Sequence, residues 1–205
     1  MIGIIDYKAG NTGSWKRLLN YLNYKYIIID NPRGLDQCDK IILPGVGAFD
    51  SAVRSLHYSG LFNSLINQAK IGKKLLGVCL GMQLLFERSC EGELNGLGLI
   101  NAKVKKLTEI SNNNLKIPHV GFNRVYIKNK VSSDFLELAN ENDFYFVHSY
   151  AFSADDDFKD NALICKYENI EFTAGLHIDN IYCTQFHPEK SGDIGIKLTE
   201  KFLDS

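Results

Sequence analysis

The sequence predicts an α/β protein in which a central parallel-to-mixed sheet is flanked by helices and extended by antiparallel strands in its second half. Short apolar runs alternate with helical patterns from Met1 to Phe86, which is typical of a parallel sheet wound with helices. Beyond Phe86 strand-like runs follow one another with polar turns between several of them, which indicates antiparallel pairing. A chain of 205 residues can bury a core and is expected to form one domain, residues 1–205.

Composition narrows the classes of function. The net charge is −1 with scattered lysines and arginines, so no nucleic-acid partner is expected. No apolar stretch approaches the roughly 20 residues of a membrane span, and the N-terminus has no leader pattern. The five cysteines show no close pairing, and no C-x-x-C or H-x-x-x-H motif occurs. We therefore expect a cytoplasmic protein with reduced thiols, no metal and no cofactor.

The first elements follow in order along the chain. Met1–Tyr7 reads as a strand, and the small-residue loop Lys8–Ser14 leads into a helix over Trp15–Leu22. Tyr26–Ile29 and Lys40–Leu43 are short apolar strands. The loop fits neither common glycine-rich phosphate motif, which disfavours a phosphate site there.

A second glycine-containing loop ends the Lys40–Leu43 strand. In Pro44-Gly45-Val46-Gly47-Ala48-Phe49 two glycines flank a valine, so backbone N–H groups can face outward at the carboxyl end of a strand. Ligands of parallel α/β sheets gather at that edge, although an ordinary tight turn is the alternative. Helical patterns follow around residues 50–57 and 61–69.

The run Lys74–Phe86 carries the strongest chemical signal. Its apolar strand reaches Cys79, with Gly77 and Gly81 on either side, and a helical pattern follows at once. This is the form of a nucleophile elbow with sulfur in place of oxygen. A helix N-terminus favours thiolate over thiol, and the Leu80 N–H would face a developing oxyanion. The alternative is a cysteine that is simply buried in a strand-to-helix corner.

The second half reads mainly as strands. Strand-like runs cover residues 97–107, 115–127, 144–152, 162–167, 172–177 and 182–186. Asn112–Asn114 and Lys128–Lys130 are predicted hairpin tips. A short helix over Ser132–Ala139, capped by Ser132 or Ser133, and a closing helix over Ile194–Leu203 complete the chain.

A base and its orienting carboxylate follow the last predicted strand. Pro188 forces His187 into an extended conformation, and residues two apart in an extended segment project to the same side. His187 and Glu189 therefore point together, and with Cys79 they would form a nucleophile, base and carboxylate triad. The alternative is a turn with a surface carboxylate. The role of base has four other candidates: His57, His119, His148 and His177. Two of them, His57 and His177, are predicted to be structural.

Three of these stretches together resemble the signatures of class I (triad) glutamine amidotransferases: Pro44–Gly47, Gly77–Gln83 and His187–Glu189. Within that family, four further stretches are similar to glutaminase subunits of imidazole glycerol phosphate synthases: residues 96–100, 116–123, 145–150 and 185–192. The resemblance covers essentially the whole chain and implies a flavodoxin-like fold.

The resemblance implies hydrolysis of glutamine to glutamate and ammonia through Cys79, His187 and Glu189. The Leu80 N–H and a loop N–H, that of Val46, would hold the oxyanion. By analogy with the family, five residues would bind glutamine: Gly47, Gln83, Glu91, Ser149 and Tyr150.

The resemblance also implies a partner. Since nothing in this chain could accept ammonia, a (β/α)8 cyclase subunit would receive it in a heterodimer and make imidazole glycerol phosphate and aminoimidazole carboxamide ribotide. Asn11, Tyr145 and Lys190 match partner-facing positions. The isolated chain is expected to be nearly silent, because a peptide of the Pro44–Gly47 loop would have to flip to complete the oxyanion hole.

Three residues depart from the usual pattern of these subunits without touching the triad: Lys8, Trp15 and Phe122. They leave a paralogous role open, in which the ammonia would serve amination of a nucleotide-linked or bacterial surface sugar. A further alternative from another class is an α/β binding protein with a reactive cysteine. The joint presence of Cys79, His187 and Glu189 argues against it, because a binding protein would not need all three.

Overall fold

The computed structural model describes residues 1–110, 115–129, 131–153 and 158–205. The first part of the chain alternates strands and helices, as predicted. Its elements are β1 (Ile2–Ile5), α1 (Thr12–Tyr21), β2 (Tyr26–Ile29), β3 (Lys40–Gly45), α2 (Phe49–Tyr58), α3 (Leu61–Lys70), β4 (Lys74–Cys79) and α4 (Leu80–Leu85).

The remaining elements in the described part of the chain are mostly strands, with three α-helices among them. They are β5 (Phe86–Ser89), β6 (Ile100–Lys106), α5 (Leu107–Ile110), β7 (His119–Ile127), α6 (Asp134–Ala139), β8 (Asp143–His148), β9 (Tyr150–Ala151), β10 (Ala162–Tyr167), β11 (Ile170–Ile178), β12 (Ile181–Thr184) and α7 (Gly192–Asp204).

A nine-stranded sheet in the order β2-β1-β3-β4-β12-β11-β10-β7-β8 organises the molecule. Strands β2, β1, β3, β4 and β12 are parallel, and the rest of the sheet continues antiparallel from β12. This confirms the predicted parallel sheet with an antiparallel extension. Because β12 lies beside β4 with Thr184 opposite Val78, the residues that follow, Gln185 and Cys79, emerge as neighbours.

Apolar side chains pack on both faces of this sheet. In β3, Ile42 belongs to the core beneath α1, α6 and α7, whereas Ile41 and Leu43 belong to the core beneath α2 and α3. Alternate residues of a strand point to opposite faces, so a continuous apolar run is what a doubly covered strand requires. Each fully buried aliphatic side chain contributes about 1.5–3 kcal/mol to this packing.

Two helix starts show the effect of capping. α1 begins three residues before the predicted Trp15, because the Asn11 side chain accepts a hydrogen bond from the Ser14 N–H at 3.3 Å. α6 is capped by Ser133, whose hydroxyl accepts from the Leu136 N–H at 3.3 Å. Of the two predicted caps, Ser133 is therefore the one used.

Three predicted strands are shorter or divided in the structure. The run 115–127 becomes a strand only at His119, after Pro118, which has no N–H to donate to a sheet. The run 144–152 divides at Ser149 into β8 and β9, and β9 joins a separate sheet with the order β5-β6-β9. The run 97–107 starts as β6 only at Ile100 and gives way to α5 at Leu107.

One predicted hairpin tip, Asn112–Asn114, lies outside the described residues, and so does Lys130 of the other. No helix in the described part of the chain is long and apolar enough to cross a membrane. Within the same residues, no group of three His, Cys, Asp or Glu side chains is arranged to hold a metal ion.

Candidate active site

Cys79 lies at a sharp, strained turn between β4 and α4. Its backbone has φ 55° and ψ −112°, a positive-φ conformation that L residues adopt at a cost of about 1–3 kcal/mol. Glycines make the turn possible, since a Cβ at Gly81 would lie 1.8 Å from the Leu43 carbonyl oxygen and one at Gly77 2.7 Å from a Leu85 methyl. This is the geometry predicted for a nucleophile elbow.

His187 and Glu189 form a buried pair at the carboxyl end of β12. His187 is extended, with φ −100° and ψ 97°, and its Nδ1 lies 2.8 Å from Glu189 Oε1. The two side chains are only 2% and 1% exposed. When Nδ1–H donates to the carboxylate, Nε2 keeps the lone pair that a base needs.

The electrostatics of His187 fit a cysteine partner. Burial lowers the pKa of His187, but the Cys79 sulfur and the Glu189 carboxylate outweigh burial and raise this pKa above its usual value. The His187 Nε2 is buried and has no hydrogen-bond partner among the described residues. A protonated imidazole next to sulfur favours thiolate, which is the nucleophilic form of cysteine.

A cavity of about 300 Å³ opens in front of Cys79 and His187. Such a volume suits a small molecule. Glu189 lies behind His187, and all the other residues predicted to act on or bind the substrate line this cavity. The lining residues are Val46, Gly47, Cys79, Leu80, Gln83, Glu91, Pro118, Val147, His148, Ser149, Tyr150 and His187.

Two buried glutamines connect the cavity wall to the sulfur. Gln83 Nε2 donates to the Tyr150 carbonyl oxygen at 2.9 Å and to Gln185 Oε1 at 3.1 Å. Gln185 Nε2 in turn points to Cys79 Sγ at 3.7 Å. Sequence reasoning missed Gln185 as a site residue, although a polar residue directly after the apolar run of β12 and two before His187 was a usable signal.

Glu91 places a carboxylate at the cavity. Its Oε2 accepts a hydrogen bond from the Phe49 N–H at 3.2 Å. Burial raises the pKa of Glu91, the bond from Phe49 lowers it in part, and nearby Asp50 adds to the rise. A partly desolvated carboxylate of this kind is suited to pair with a ligand's ammonium group.

The two predicted oxyanion donors differ in this structure. Leu80 is the first residue of α4, where an N–H has no partner within the helix. The Val46 N–H instead donates to the Ala9 carbonyl oxygen at 2.8 Å, so it does not face the cavity in this conformation. Its predicted role therefore requires the peptide to turn.

Gly47 gives the loop room for such a turn. It has φ +100°, and a Cβ there would meet nothing within 4 Å. On the other side, the buried Tyr7 hydroxyl donates to the Pro44 carbonyl oxygen at 2.9 Å and fixes the start of the loop. Sequence reasoning also missed this role of Tyr7.

The three predicted partner-facing residues have contacts within the chain. Asn11 caps α1, and its Nδ2 donates to the Ser14 hydroxyl at 3.0 Å. The Lys190 ammonium lies 5.7 Å from the centre of the Tyr145 ring, and the Tyr145 carbonyl accepts from the His187 N–H at 2.9 Å. A partner that met Tyr145 and Lys190 would thus touch the segment that carries the base.

The remaining histidines do not reach the sulfur as bases. His57 stacks on Phe62 at a centroid distance of 3.9 Å, and His177 Nδ1 lies 2.6 Å from the Ser133 hydroxyl. His119 and His148 pair with each other through ring nitrogens 3.0 Å apart.

Comparisons with known proteins match nearly the whole chain. The family model described as "Glutamine amidotransferase class-I" matches residues 3–204. The subunit HisH 2 of imidazole glycerol phosphate synthase from Methanococcus maripaludis is 47% identical, covering 99% of this chain and 98% of its own. The HisH subunit from a Geobacillus species is 43% identical over 98% of this chain and 95% of its own.

Solved structures agree on the fold. A structure titled "Structure of PurLQS from Thermotoga maritima" matches with a TM-score of 0.71 and 18% identity, covering 99% of this chain and 97% of that one. A second, titled "Crystal structure of glutamine amidotransferase", matches with a TM-score of 0.69 and 16% identity over 99% and 97%. The chain belongs to the class-I glutamine amidotransferase family.

Proposed function

We propose that this chain is the glutaminase subunit of an imidazole glycerol phosphate synthase and supplies ammonia for histidine biosynthesis. The observation that carries the proposal is the juxtaposition at one cavity: a cysteine on a strained elbow, a His187–Glu189 pair and the Glu91 carboxylate. The full-length relatives named as subunits of that synthase support the pathway.

The first half of the reaction makes a thioester. The Cys79 thiolate attacks the side-chain amide carbon of glutamine, and the carbonyl oxygen becomes an oxyanion that the Leu80 N–H stabilises. The C–N bond then breaks as the departing nitrogen takes a proton from His187, which releases ammonia and leaves a γ-glutamyl thioester on Cys79.

The second half restores the enzyme. His187, now neutral, takes a proton from a water molecule that attacks the thioester carbonyl. Breaking of the C–S bond frees glutamate and returns the Cys79 thiolate beside a protonated imidazole. Glu189 holds the imidazole in one orientation through both steps and stabilises its charged form.

The cavity wall selects glutamine. Glu91 pairs with the substrate's α-ammonium group, which distinguishes a free amino acid from a peptide side chain. Gly47, Gln83, Ser149 and Tyr150 surround the remaining polar groups and fix the amide carbon near the sulfur.

The ammonia acceptor is a (β/α)8 cyclase subunit bound as a heterodimer. Two exposed apolar side chains, Val120 at 56% and Phe122 at 62%, lie on β7, and Phe122 contacts Tyr145 with ring centroids 5.6 Å apart. With Lys190 they form a surface beside the catalytic histidine that suits a partner. The Val46–Ala9 hydrogen bond supports an isolated chain of low activity, since the second oxyanion donor is occupied.

The experiment is glutamine hydrolysis by the purified chain, measured with and without the cyclase subunit and its ribonucleotide acceptor. We expect low activity alone and strong stimulation by the cyclase. Stimulation only by a partner from a sugar-amination pathway would overturn the histidine assignment, which the names of the relatives favour.

Cys79→Ala separates catalysis from binding. Without a nucleophile, hydrolysis should fall to background while association with the cyclase, measured by gel filtration, stays intact. Cys38→Ala is the matched control, because Cys38 is buried just before β3, outside the cavity lining. Full activity in Cys79→Ala would contradict the mechanism.

A further inference from the structure

Two histidines that the proposed chemistry does not use form a buried pair beside the cavity. His119 is the first residue of β7 and stands directly opposite His148, the last residue of β8. His119 Nδ1 and His148 Nε2 are 3.0 Å apart, and the two residues are only 2% and 6% exposed. Burying two imidazoles costs free energy unless their ring nitrogens are hydrogen-bonded, so the partners of each nitrogen decide whether the pair is stable.

The hydrogen bonds around the pair fit one arrangement of protons. The Tyr150 carbonyl can only accept, so His148 Nδ1, at 2.9 Å from it, carries the hydrogen. In a neutral ring His148 Nε2 must then accept, and His119 Nδ1–H donates to it. His119 Nε2 in turn accepts from Asn123 Nδ2 at 3.3 Å. All four ring nitrogens are satisfied only if both imidazoles are neutral.

The surroundings keep both rings neutral. His119 stacks on Tyr167 at 4.1 Å and on Phe146 at 4.9 Å, and His148 meets Phe172 edge-on at 4.9 Å. Burial lowers the pKa of His119 to about 4. Burial and the neighbouring His119 lower the pKa of His148 to about 3. The pair is therefore a fixed set of donors and acceptors rather than a base.

Further hydrogen bonds connect the histidine pair to the nucleophile Cys79. The Tyr150 carbonyl that accepts from His148 also accepts from Gln83 Nε2 at 2.9 Å. Gln83 reaches Gln185 at 3.1 Å, and Gln185 Nε2 points to Cys79 Sγ at 3.7 Å. One chain of hydrogen bonds, which passes through the Tyr150 backbone carbonyl, thus runs from the histidine pair to the sulfur.

The backbone shows why such a support is useful. β8 ends at His148 in the nine-stranded sheet, and β9 starts at Tyr150 in the small sheet, so the intervening Ser149 belongs to neither. Ser149 and Tyr150 line the cavity at this crossing between sheets. The small sheet holds one side of the crossing, because the Leu107 N–H donates to the Ser149 carbonyl at 3.0 Å and Tyr150 pairs with Lys106, and the His148 bond to Tyr150 ties the other side to β8.

We propose that His119 and His148 are positioning residues of the glutamine site. His148 holds the Tyr150 carbonyl in place, His119 holds His148 in the required tautomer, and Gln83 and Gln185 carry the fixed geometry to Cys79. The inference rests on the proposed glutaminase function and adds two residues to its machinery.

Two amide variants of one residue provide a matched test. In His148→Asn the amide nitrogen can take the place of Nδ1 and still donate to Tyr150. In His148→Gln the amide group lies at the place of Nε2, so it can meet His119 but not Tyr150. Both variants remove the ring and bury one amide, and each keeps one of the two bonds, so the pair compares the bond to Tyr150 with the bond to His119.

The variants are assayed as complexes with the cyclase subunit. We expect kcat/KM for glutamine to fall about 10–100-fold in His148→Gln, with KM raised, and to recover most of that loss in His148→Asn. His119→Phe keeps the stacking but loses both bonds, and we expect kcat/KM to fall about tenfold together with a lower melting temperature, because His148 Nε2 is left buried without its partner. Equal losses in the two His148 variants, or a normal His119→Phe enzyme, would overturn the inference.

A second readout does not depend on glutamine turnover. The rate at which iodoacetamide alkylates Cys79, followed by peptide mass spectrometry, reports the placement of the sulfur in folded protein. It should change in His148→Gln and stay near the wild-type rate in His148→Asn. If the wild-type complex hydrolyses no glutamine, the proposed function fails, whereas equal alkylation rates in all variants defeat the positioning role.

Discussion

The two sides of the predicted oxyanion site are built in opposite ways. Around Cys79 the backbone is strained and closely packed, and a Cβ at Gly81 would overlap the Leu43 carbonyl. Across the cavity, Gly47 has open space around it, and the Val46 N–H is bonded to Ala9. The nucleophile side is thus fixed in advance, whereas the loop side holds one donor away from the site. The nucleophile side therefore carries the chemistry, and movement of the loop side would activate it.

We expect the largest loss of stability and activity from a substitution on the nucleophile side of the site. Gly81→Ala would place a methyl group 1.8 Å from the Leu43 oxygen, so backbone has to move and the elbow is lost. We expect destabilisation of about 3 kcal/mol or more, measured by chemical denaturation, together with loss of glutaminase activity. An active Gly81→Ala enzyme of normal stability would show that the elbow is not tightly packed.

We expect the next largest loss, a fall in kcat, when the base His187 on the same side is disturbed. In Glu189→Gln the amide can donate to His187 Nδ1, which places the hydrogen on Nε2 and removes the lone pair facing the sulfur. We expect kcat to fall about 10³–10⁴-fold with little change in KM, measured on the complex with the cyclase. Glu87→Gln on β5 is the control, because its side chain is 49% exposed and lies outside the cavity lining.

The same pair predicts a dependence of stability on pH. The folded-state pKa of His187 is raised, so its contribution to the free energy of unfolding is fully present below the unfolded value of about 6.5 and is lost as pH rises through the raised value. Glu189→Gln should therefore destabilise the protein more near pH 6.5 than at higher pH. A destabilisation that does not diminish with rising pH would contradict the charged pair.

We expect the smallest effect, a change in stimulation by the cyclase, from a substitution in the Pro44–Gly47 loop. Gly47→Ala meets no atom within 4 Å but must adopt φ +100°, which costs about 1–2 kcal/mol. Because this also restricts the peptide that has to turn, the ratio of cyclase-stimulated to unstimulated glutamine hydrolysis should fall. Gly72→Ala is the control, because Gly72 has φ +91° and open space outside the cavity lining, and there the ratio should stay normal.

The same contrast explains what the sequence could predict. The Cys79 elbow and the His187–Glu189 pair depend on residues close together in the chain, so glycine spacing and the position of Pro188 were sufficient. These features were read from residue types because local sterics dictate them.

The features that the sequence did not predict depend on contacts between distant segments. The Val46 N–H bonds to Ala9, and Gln185 bonds to Gln83 from a distant part of the chain, and no local pattern specifies such contacts. The division at Ser149 was missed for the same reason, since Leu107 and the small sheet draw the chain away from β8. His119 and His148 appeared only as rival bases because their pairing depends on strand register.

The most direct test of the account is to trap the covalent intermediate. The chain is mixed with glutamine in the presence or absence of the cyclase and its acceptor, quenched rapidly in acid, and digested for peptide mass spectrometry. We predict a γ-glutamyl adduct on the Cys79 peptide that increases strongly with the cyclase and is missing in Cys79→Ala. Glutamine turnover with no adduct on Cys79, or with an adduct on another cysteine, would contradict the account.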